Sequence, residues 1–375
     1  MKRLSVLLCL LFSCPIIRAQ GKPFELTGTN SSDYEGYKAY LFIKTYDFRN
    51  VVFRDSTIIR KGKFQFSGQL TQPSSNASIK LVSKDQQFVS DFVLDTGINH
   101  ISFKKENLTG KFFTDVEMRS VSNVLKMKLD STERKAYADQ RVIENVKEEY
   151  FALSRLRSHE LDLKRLQLIE AYPNSYYSLM SLARLGRMVT MIDYNDLLLQ
   201  TFDKLSPELQ SSDLGRNLYK SKSDDIYAKM ATKEGQVSPV FSAKDNQNRS
   251  FSNKSMQAKP YLLVFTATWC VPCQQQLPKL RKISDKYSKS GLKIVYINLD
   301  DDLQKWKKHV QTVPSEWIHI SDRQKGQEGK IQKLFYVKAI PTYFLIDAAG
   351  KIAYNSDTTD PELLETEHYI QRLLK

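Results

Sequence analysis

The sequence predicts a multidomain chain: an N-terminal all-β domain, a helical connector and a C-terminal α/β domain. Three observations carry this expectation. Short apolar stretches alternate with polar residues from Phe24 to about Phe113. Apolar residues then recur at helical spacing among Lys, Glu and Arg up to about Glu234. Beyond Ser238, continuous apolar runs alternate with helical patterns. A chain of 375 residues exceeds one ordinary core, so several domains are expected. With 41% hydrophobic and 26% charged residues the composition is globular, which excludes disorder as the dominant state. The expected boundaries are a signal peptide over 1–19, a β-rich, sandwich-like domain over 20–115, a helical connector over 116–236 and the α/β domain over 237–375.

At the N-terminus, Lys2 and Arg3 precede an apolar run from Leu4 to Phe12, the plan of a secretory signal. The run is short for a membrane span. Two cleavage readings compete, beside a third in which the segment stays as an uncleaved anchor. Ala19 offers a small residue before Gln20, whereas Leu11-Phe12-Ser13-Cys14 has the outline of a lipobox that would place a lipid on Cys14. All imply export to the periplasm or cell envelope. Cleavage after Ala19 leaves Cys270 and Cys273 as the only cysteines, a single close pair rather than a framework of staples.

In the β-rich part, Phe24 and Leu26, then Ala39, Leu41 and Ile43, alternate with polar neighbours. Phe64 and Phe66 follow a Lys61-Gly62-Lys63 turn, and Asp95-Thr96-Gly97 and Thr109-Gly110 punctuate later strands. Short strands at roughly ten-residue spacing suit a sandwich or barrel. In the connector, Val142, Val146, Tyr150, Leu153 and Leu156 keep a helical period. Ser175 and Ser206-Pro207 sit where helix starts are expected. The apolar stripes pack together as a spacer or present a face to a partner; both readings stand. Gly235 to Ser238 reads as a linker.

The last part gives strands over Pro260–Ala267, Leu292–Leu299, Trp317–Ile320 and Thr342–Ile346, with a hairpin through Ala349-Gly350 into Lys351–Tyr354. Helices are expected over Pro272–Ser288, Asp301–Val310, Glu328–Phe335 and Pro361–Leu374. This is an α/β order with one terminal hairpin.

The net charge of +14 invites a nucleic-acid reading, but the excess is dispersed. Between Pro239 and Lys375, 21 Lys and Arg face 14 Asp and Glu, so 21 − 14 leaves +7, half of the total. No run of five like charges occurs, and no nucleic-acid partner is expected.

The chemistry concentrates at Trp269-Cys270-Val271-Pro272-Cys273, where an apolar strand hands over to a helix. Helix N-termini present unpaired N–H groups and positive dipole, which stabilise a thiolate and can lower a cysteine pKa from about 8.5 into roughly the 3.5–7.5 range. Cys270 is expected as the exposed, attacking member and Cys273, one turn on, as the resolving one. Pro272 costs no hydrogen bond in a first turn. A zinc site needs about four ligands, and His100, His159, His309, His319 and His368 lack metal spacing. A c-type haem needs His where Gln274 stands. A peroxiredoxin needs Thr or Ser where Ala267 stands. Neither metal nor cofactor is therefore expected.

Thr268 to Cys273, together with Ile340-Pro341-Thr342 and Asp347-Ala348-Ala349-Gly350-Lys351, resembles the TlpA/ResA-like branch of the thioredoxin superfamily. The resemblance implies a thioredoxin fold, a cis peptide before Pro341, and a groove bounded by Ile340-Pro341 that hydrogen-bonds an extended substrate. Trp269, Ile340 and Pro341 are accordingly the expected substrate-binding residues. The material around Trp306 to Phe335 resembles the insertion of that class. Residues Phe24 to about Phe103 resemble a β-rich domain of unknown function that precedes it, and Tyr172 to Tyr176 its helical connector. The resemblance implies protein thiol and disulfide substrates and a membrane electron donor of the DsbD type. It sets no oligomeric state. Two departures stand out: Val264 holds the place of the usual buried Asp, and Gln276 that of a common Glu. Cys273 is thus left without an obvious base. The alternative is a non-enzymatic envelope binding protein with a relict thioredoxin fold.

Overall fold

The computed structural model describes residues 21–30, 34–103, 108–109, 112–113, 116–118, 120–140, 150–188, 194–256, 258–322, 329–360 and 363–375. The expected leader, with Cys14 and Ala19, lies outside them, as do Val142 and Val146. The chain divides into two compact units, Met1–Leu218 and Tyr219–Lys375.

The first unit opens with strands β1 (Lys22–Asn30), β2 (Lys38–Lys44), β3 (Val51–Ile58), β4 (Lys63–Leu70), β5 (Ser74–Val82), β6 (Gln87–Asp95) and β7 (Gly97–Phe103). The short pairs β8 (Leu108–Thr109), β9 (Phe112–Phe113) and β10 (Val116–Glu117) follow. They form a six-stranded sheet, β3-β2-β5-β6-β9-β8, and a four-stranded sheet, β10-β7-β1-β4. Alternation explains the pairing of the sheets. Every second residue of β2 (Ala39, Leu41, Ile43) is buried, and these share a core with Phe24, Leu26, Phe66 and Ile101. Each large apolar side chain buried there contributes about 1.5–3 kcal/mol. The Lys61-Gly62 turn takes φ of 52° and 65°, as a two-residue hairpin turn requires. Gly28 is needed because Phe64 lies across it: a Cβ would meet the ring at 1.9 Å.

Helices α1 (Val121–Gln140), α2 (Tyr150–Glu170), α3 (Tyr176–Leu185), α4 (Asn195–Asp203), α5 (Pro207–Gln210) and α6 (Asp213–Ala231) come next. Leu125, Leu129, Leu166, Ile169, Leu182 and Phe202 close a second core, joined by Val93 of β6. Ser175 and Ser206 occupy N-cap positions, but neither side chain makes a capping hydrogen bond. Ser175 Oγ instead lies 3.5 Å from Ser122 Oγ. Between α1 and α2, the buried Arg165 guanidinium bridges Asp162 and Glu133, each at 2.7 Å.

The second unit adds β11 (Ser242–Lys244), β12 (Ser250–Ser252), β13 (Tyr261–Thr266), α7 (Val271–Tyr287), β14 (Lys293–Asn298), α8 (Leu303–Val310), β15 (Ile318–Ser321), α9 (Lys330–Leu334), β16 (Thr342–Ile346), β17 (Ile352–Asn355), α10 (Ser356–Thr359) and α11 (Thr366–Leu374). Its main sheet runs β15-β14-β13-β16-β17. β15, β14 and β13 are parallel, and β16 and β17 antiparallel. β13 is buried throughout because both of its faces are covered. Leu263 and Phe265 enter one core with Val295 and Phe344, while Leu262 and Val264 enter the other with Leu280, Ile283 and Tyr343. Such strands read as unbroken apolar runs.

Two expectations are corrected, and two short elements are added. The Gly235–Ser238 segment is no free linker: it pairs with β17 through Gly235 N–H to Ile352 O and Ile352 N–H to Gln236 O, both 2.8 Å. The last helix was expected from Pro361, which lies outside the described residues; it starts at Thr366, because Leu363 takes φ 58° and the Asp360 carboxylate accepts the N–H groups of Leu364 and Glu365. The β11–β12 hairpin and α10 were too short to show a period.

Truncating Arg165 to Ala strands Asp162, which is 2% exposed. Removing one partner of a buried pair costs about 3–5 kcal/mol. Urea denaturation of the full chain is expected to show this loss; a change below about 1 kcal/mol would mean the pair is not sealed from solvent.

Acid weakens the second unit through His319. Burial holds its pKa below the ordinary 6.5, opposed by its bond to the Pro314 carbonyl. Below pH 6.5 the unfolded chain therefore binds more protons than the folded one. Stability is expected to be level above that pH with respect to this group and to fall beneath it. His319→Gln flattens the fall; a variant with the wild-type slope would assign it to another group.

Candidate functional site

The site forms where β13 ends. Ala267 is fully buried, and the Cys270 N–H donates to its carbonyl at 3.2 Å, making the turn that starts α7. Cys270 is the N-cap residue with extended backbone, and its Sγ accepts the Cys273 N–H at 3.2 Å. One orphan donor of the helix start is thus spent on sulfur. Pro272 stands in the first turn and, as expected there, removes no helical bond. Gln274 Nε2 donates back to the Ala267 carbonyl at 3.0 Å, bracing the turn. Cys270 and Cys273 are joined in a disulfide with Cα atoms 5.2 Å apart.

Across from the pair, the Ile340–Pro341 peptide is cis, the conformation the family resemblance implies. The Ile340 carbonyl oxygen lies 3.6 Å from Cys270 Sγ, and Ile340 itself packs on Ala267, Cys270 and Cys273 together with Leu299. The loop is held behind: Thr342 Oγ1 is 2.8 Å from both the Ala339 carbonyl and Asp357, and the Tyr343 N–H donates to Ser356 Oγ at 2.8 Å.

One expectation about the pair is corrected. Cys270 was expected to be exposed, yet it is 4% exposed and Cys273 3%. In the disulfide its sulfur is turned onto Cys273 and covered by Ile340. The exposed residues are its neighbours, Trp269 at 67% and Val271 at 65%. They make an apolar rim around a nearly covered disulfide. Pro341 and Ile340 are half-buried at the opposite side. The structure therefore brings Trp269, Cys270, Cys273, Ile340 and Pro341 to one place.

Sequence reasoning missed the polar foundation of the turn. Asp300, just past β14, accepts the Thr268 N–H at 3.1 and 3.2 Å and the Thr268 hydroxyl at 2.8 Å. Asn298 donates its side-chain amide to the same carboxylate at 2.7 Å. A usable signal existed: β13 and β14 are parallel, and sites in α/β sheets gather at the carboxyl ends of such strands. At the two positions where an acid is usual, Val264 is core and Gln276 half-buried.

The chain resembles known proteins over this same region. A family model described as thioredoxin-like matches residues 257–352. A thiol-disulfide oxidoreductase ResA of Bacillus thuringiensis is 30% identical over 132 residues, which cover 34% of this chain and 74% of that protein. The thioredoxin-like protein YneN of Bacillus subtilis is 30% identical over 141 residues, 37% of this chain and 78% of its own. A solved thiol-disulfide oxidoreductase from Bacteroides fragilis is 21% identical, with a TM-score of 0.32, covering 36% of this chain and 98% of that one.

Proposed function

The chain belongs to the ResA/TlpA-like thiol-disulfide oxidoreductases, and from that premise we propose that it acts outside the cytoplasm, exchanging disulfides with exported proteins through Cys270 and Cys273. The observation that carries the reading is the placement of Cys270 Sγ at the start of α7, between the Cys273 N–H and the Ile340 carbonyl.

In the reduced protein the Cys270 thiolate, favoured by the helix start, attacks a substrate disulfide. A mixed disulfide forms through Cys270, and the substrate's other sulfur leaves as a thiolate that takes up a proton. Cys273, after losing its own proton, then attacks Cys270 Sγ and releases the substrate as a dithiol. The substrate leaves reduced by two electrons and the pair oxidised. A membrane donor of the DsbD type restores the dithiol. Trp269 and Val271 give the substrate an apolar footing, and the backbone of Ile340-Pro341 pairs with its extended segment.

Cys270→Ser is expected to reduce insulin no faster than buffer. Cys273→Ser is expected to accumulate mixed disulfides through Cys270, visible on non-reducing gels. Two variants with the same behaviour would overturn the division of roles.

As a reductant or interchange protein, the pair is expected to equilibrate with glutathione at a potential below about −220 mV. A value close to −120 mV would make it an oxidant and reverse the proposed electron flow.

Export is testable by intact mass of the protein recovered from cells. No helix among the described residues is long and apolar enough to cross a membrane. A mass matching Gln20–Lys375 is expected. A diacylated product beginning at Cys14 would replace the free form with an anchored one, and recovery of unprocessed protein from the cytoplasm would refute export.

A further inference from the structure

The least expected buried group near the disulfide is Asp300. It is 3% exposed, and the partners of its carboxylate described here are the N–H and hydroxyl of Thr268 and the amide of Asn298. None of these is a cation. Burying a carboxylate without a paired cation is costly, so such a group is kept where several donors reward it. Its surroundings are tied by further hydrogen bonds. Asn298 is fully buried and its side-chain oxygen accepts the Asp300 N–H at 2.9 Å. The Asn298 carbonyl accepts the Asp322 N–H at 3.0 Å, and the Leu299 N–H donates to Thr266 at 2.8 Å. Asp300 is thus fastened to the ends of two central strands and holds both polar groups of Thr268, two residues ahead of Cys270.

We propose that Asp300 is a positioning residue for the exchange reaction: by gripping Thr268 it fixes the turn that keeps Cys270 Sγ against the α7 N-terminus and the Ile340 carbonyl. The inference rests on the reading of Cys270 as the attacking thiol. Its physical content is a lever of two residues. Thr268 has no other side-chain partner among the hydrogen bonds described, so loss of the carboxylate frees the turn on its outer side while Ala267 and α7 remain in place. The sulfur then samples positions away from the Cys273 N–H, and its thiolate loses that donor.

The test uses the full chain, reduced, with the pH dependence of alkylation at Cys270 as the readout, resolved by mass spectrometry of the labelled peptide. Asp300→Asn and the milder Thr268→Val are compared with wild type, each checked for native circular dichroism. Asp300→Asn is expected to move the profile upward by about one pH unit, a roughly tenfold slower reaction at neutral pH. Thr268→Val, which leaves the carboxylate in place, is expected to move it in the same direction by less, and Thr268→Ser to restore wild type. A purely structural role would lower the denaturation midpoint and leave the profile unmoved, which overturns the proposal. So does a downward shift in Asp300→Asn with none in Thr268→Val, since the carboxylate would then act by its charge alone. If wild-type protein is alkylated first at Cys273, the assignment of Cys270 itself fails, and this inference with it.

Discussion

The site depends on the fact that β13 cannot move. Both of its faces are buried, and it is hydrogen-bonded on one edge to β14 and on the other to β16. A strand so held has one register, since slipping by a residue would exchange the two cores. The register sets Thr266 level with Asn298 and Phe265 level with Thr342. Three segments therefore meet at one end of the sheet: those leaving β13 and β14 carry Cys270 and Asp300, and the one entering antiparallel β16 carries Ile340 and Pro341. Their meeting is a consequence of strand pairing.

The helix that bears the pair is fixed from its far side as well. Trp317 Nε1 donates to Ser284 Oγ at 2.8 Å on the buried face of α7. Leu280 and Ile283 pack into the core with Val264 and Tyr296. This packing is why the first turn of α7 can present its N–H groups at a defined place. Against this core lies His319, stacked near Trp317 and edge-on to Tyr296, and its Nδ1 has no hydrogen-bond partner among the described residues. The burial that steadies the helix also disfavours the charged form of that ring.

Much of the fold was legible because it is written in periods. The unbroken apolar run through Tyr261 to Thr266 reads as a strand, and the Cys-x-x-Cys pair after it, taken with Ile340-Pro341-Thr342, carries the resemblance to the thioredoxin class. The alternation in β2 was equally plain. What stayed hidden depends on partners distant in sequence. Nothing local distinguishes Asp300 from its exposed neighbours Asp301 and Asp302; only the pairing of β13 with β14 turns one carboxylate inward. The covering of Cys270 likewise comes from Ile340, 70 positions away. Leu363 reads as a helix former, and its φ of 58° reflects the pull of Asp360 on the following N–H groups.

The stretch from Gly235 to Ser252 closes both open sides of the main sheet. Gly235 to Ser238 lies along β17, and the loop after β11 reaches β15 where the Asn246 N–H donates to His319 O at 3.0 Å, beside a bridge between Asp245 and Ile320. An uncovered edge is a template for pairing with any extended chain. Among the described residues, both rims of the sheet are thus met by the protein's own backbone rather than left free for another chain to pair with. The region matched by the family model begins at residue 257, so that core taken alone would shed this covering and become a seed for association. The short segment ahead of it thus acts as a selvedge, finishing with the protein's own backbone two edges that would otherwise stay open to pairing.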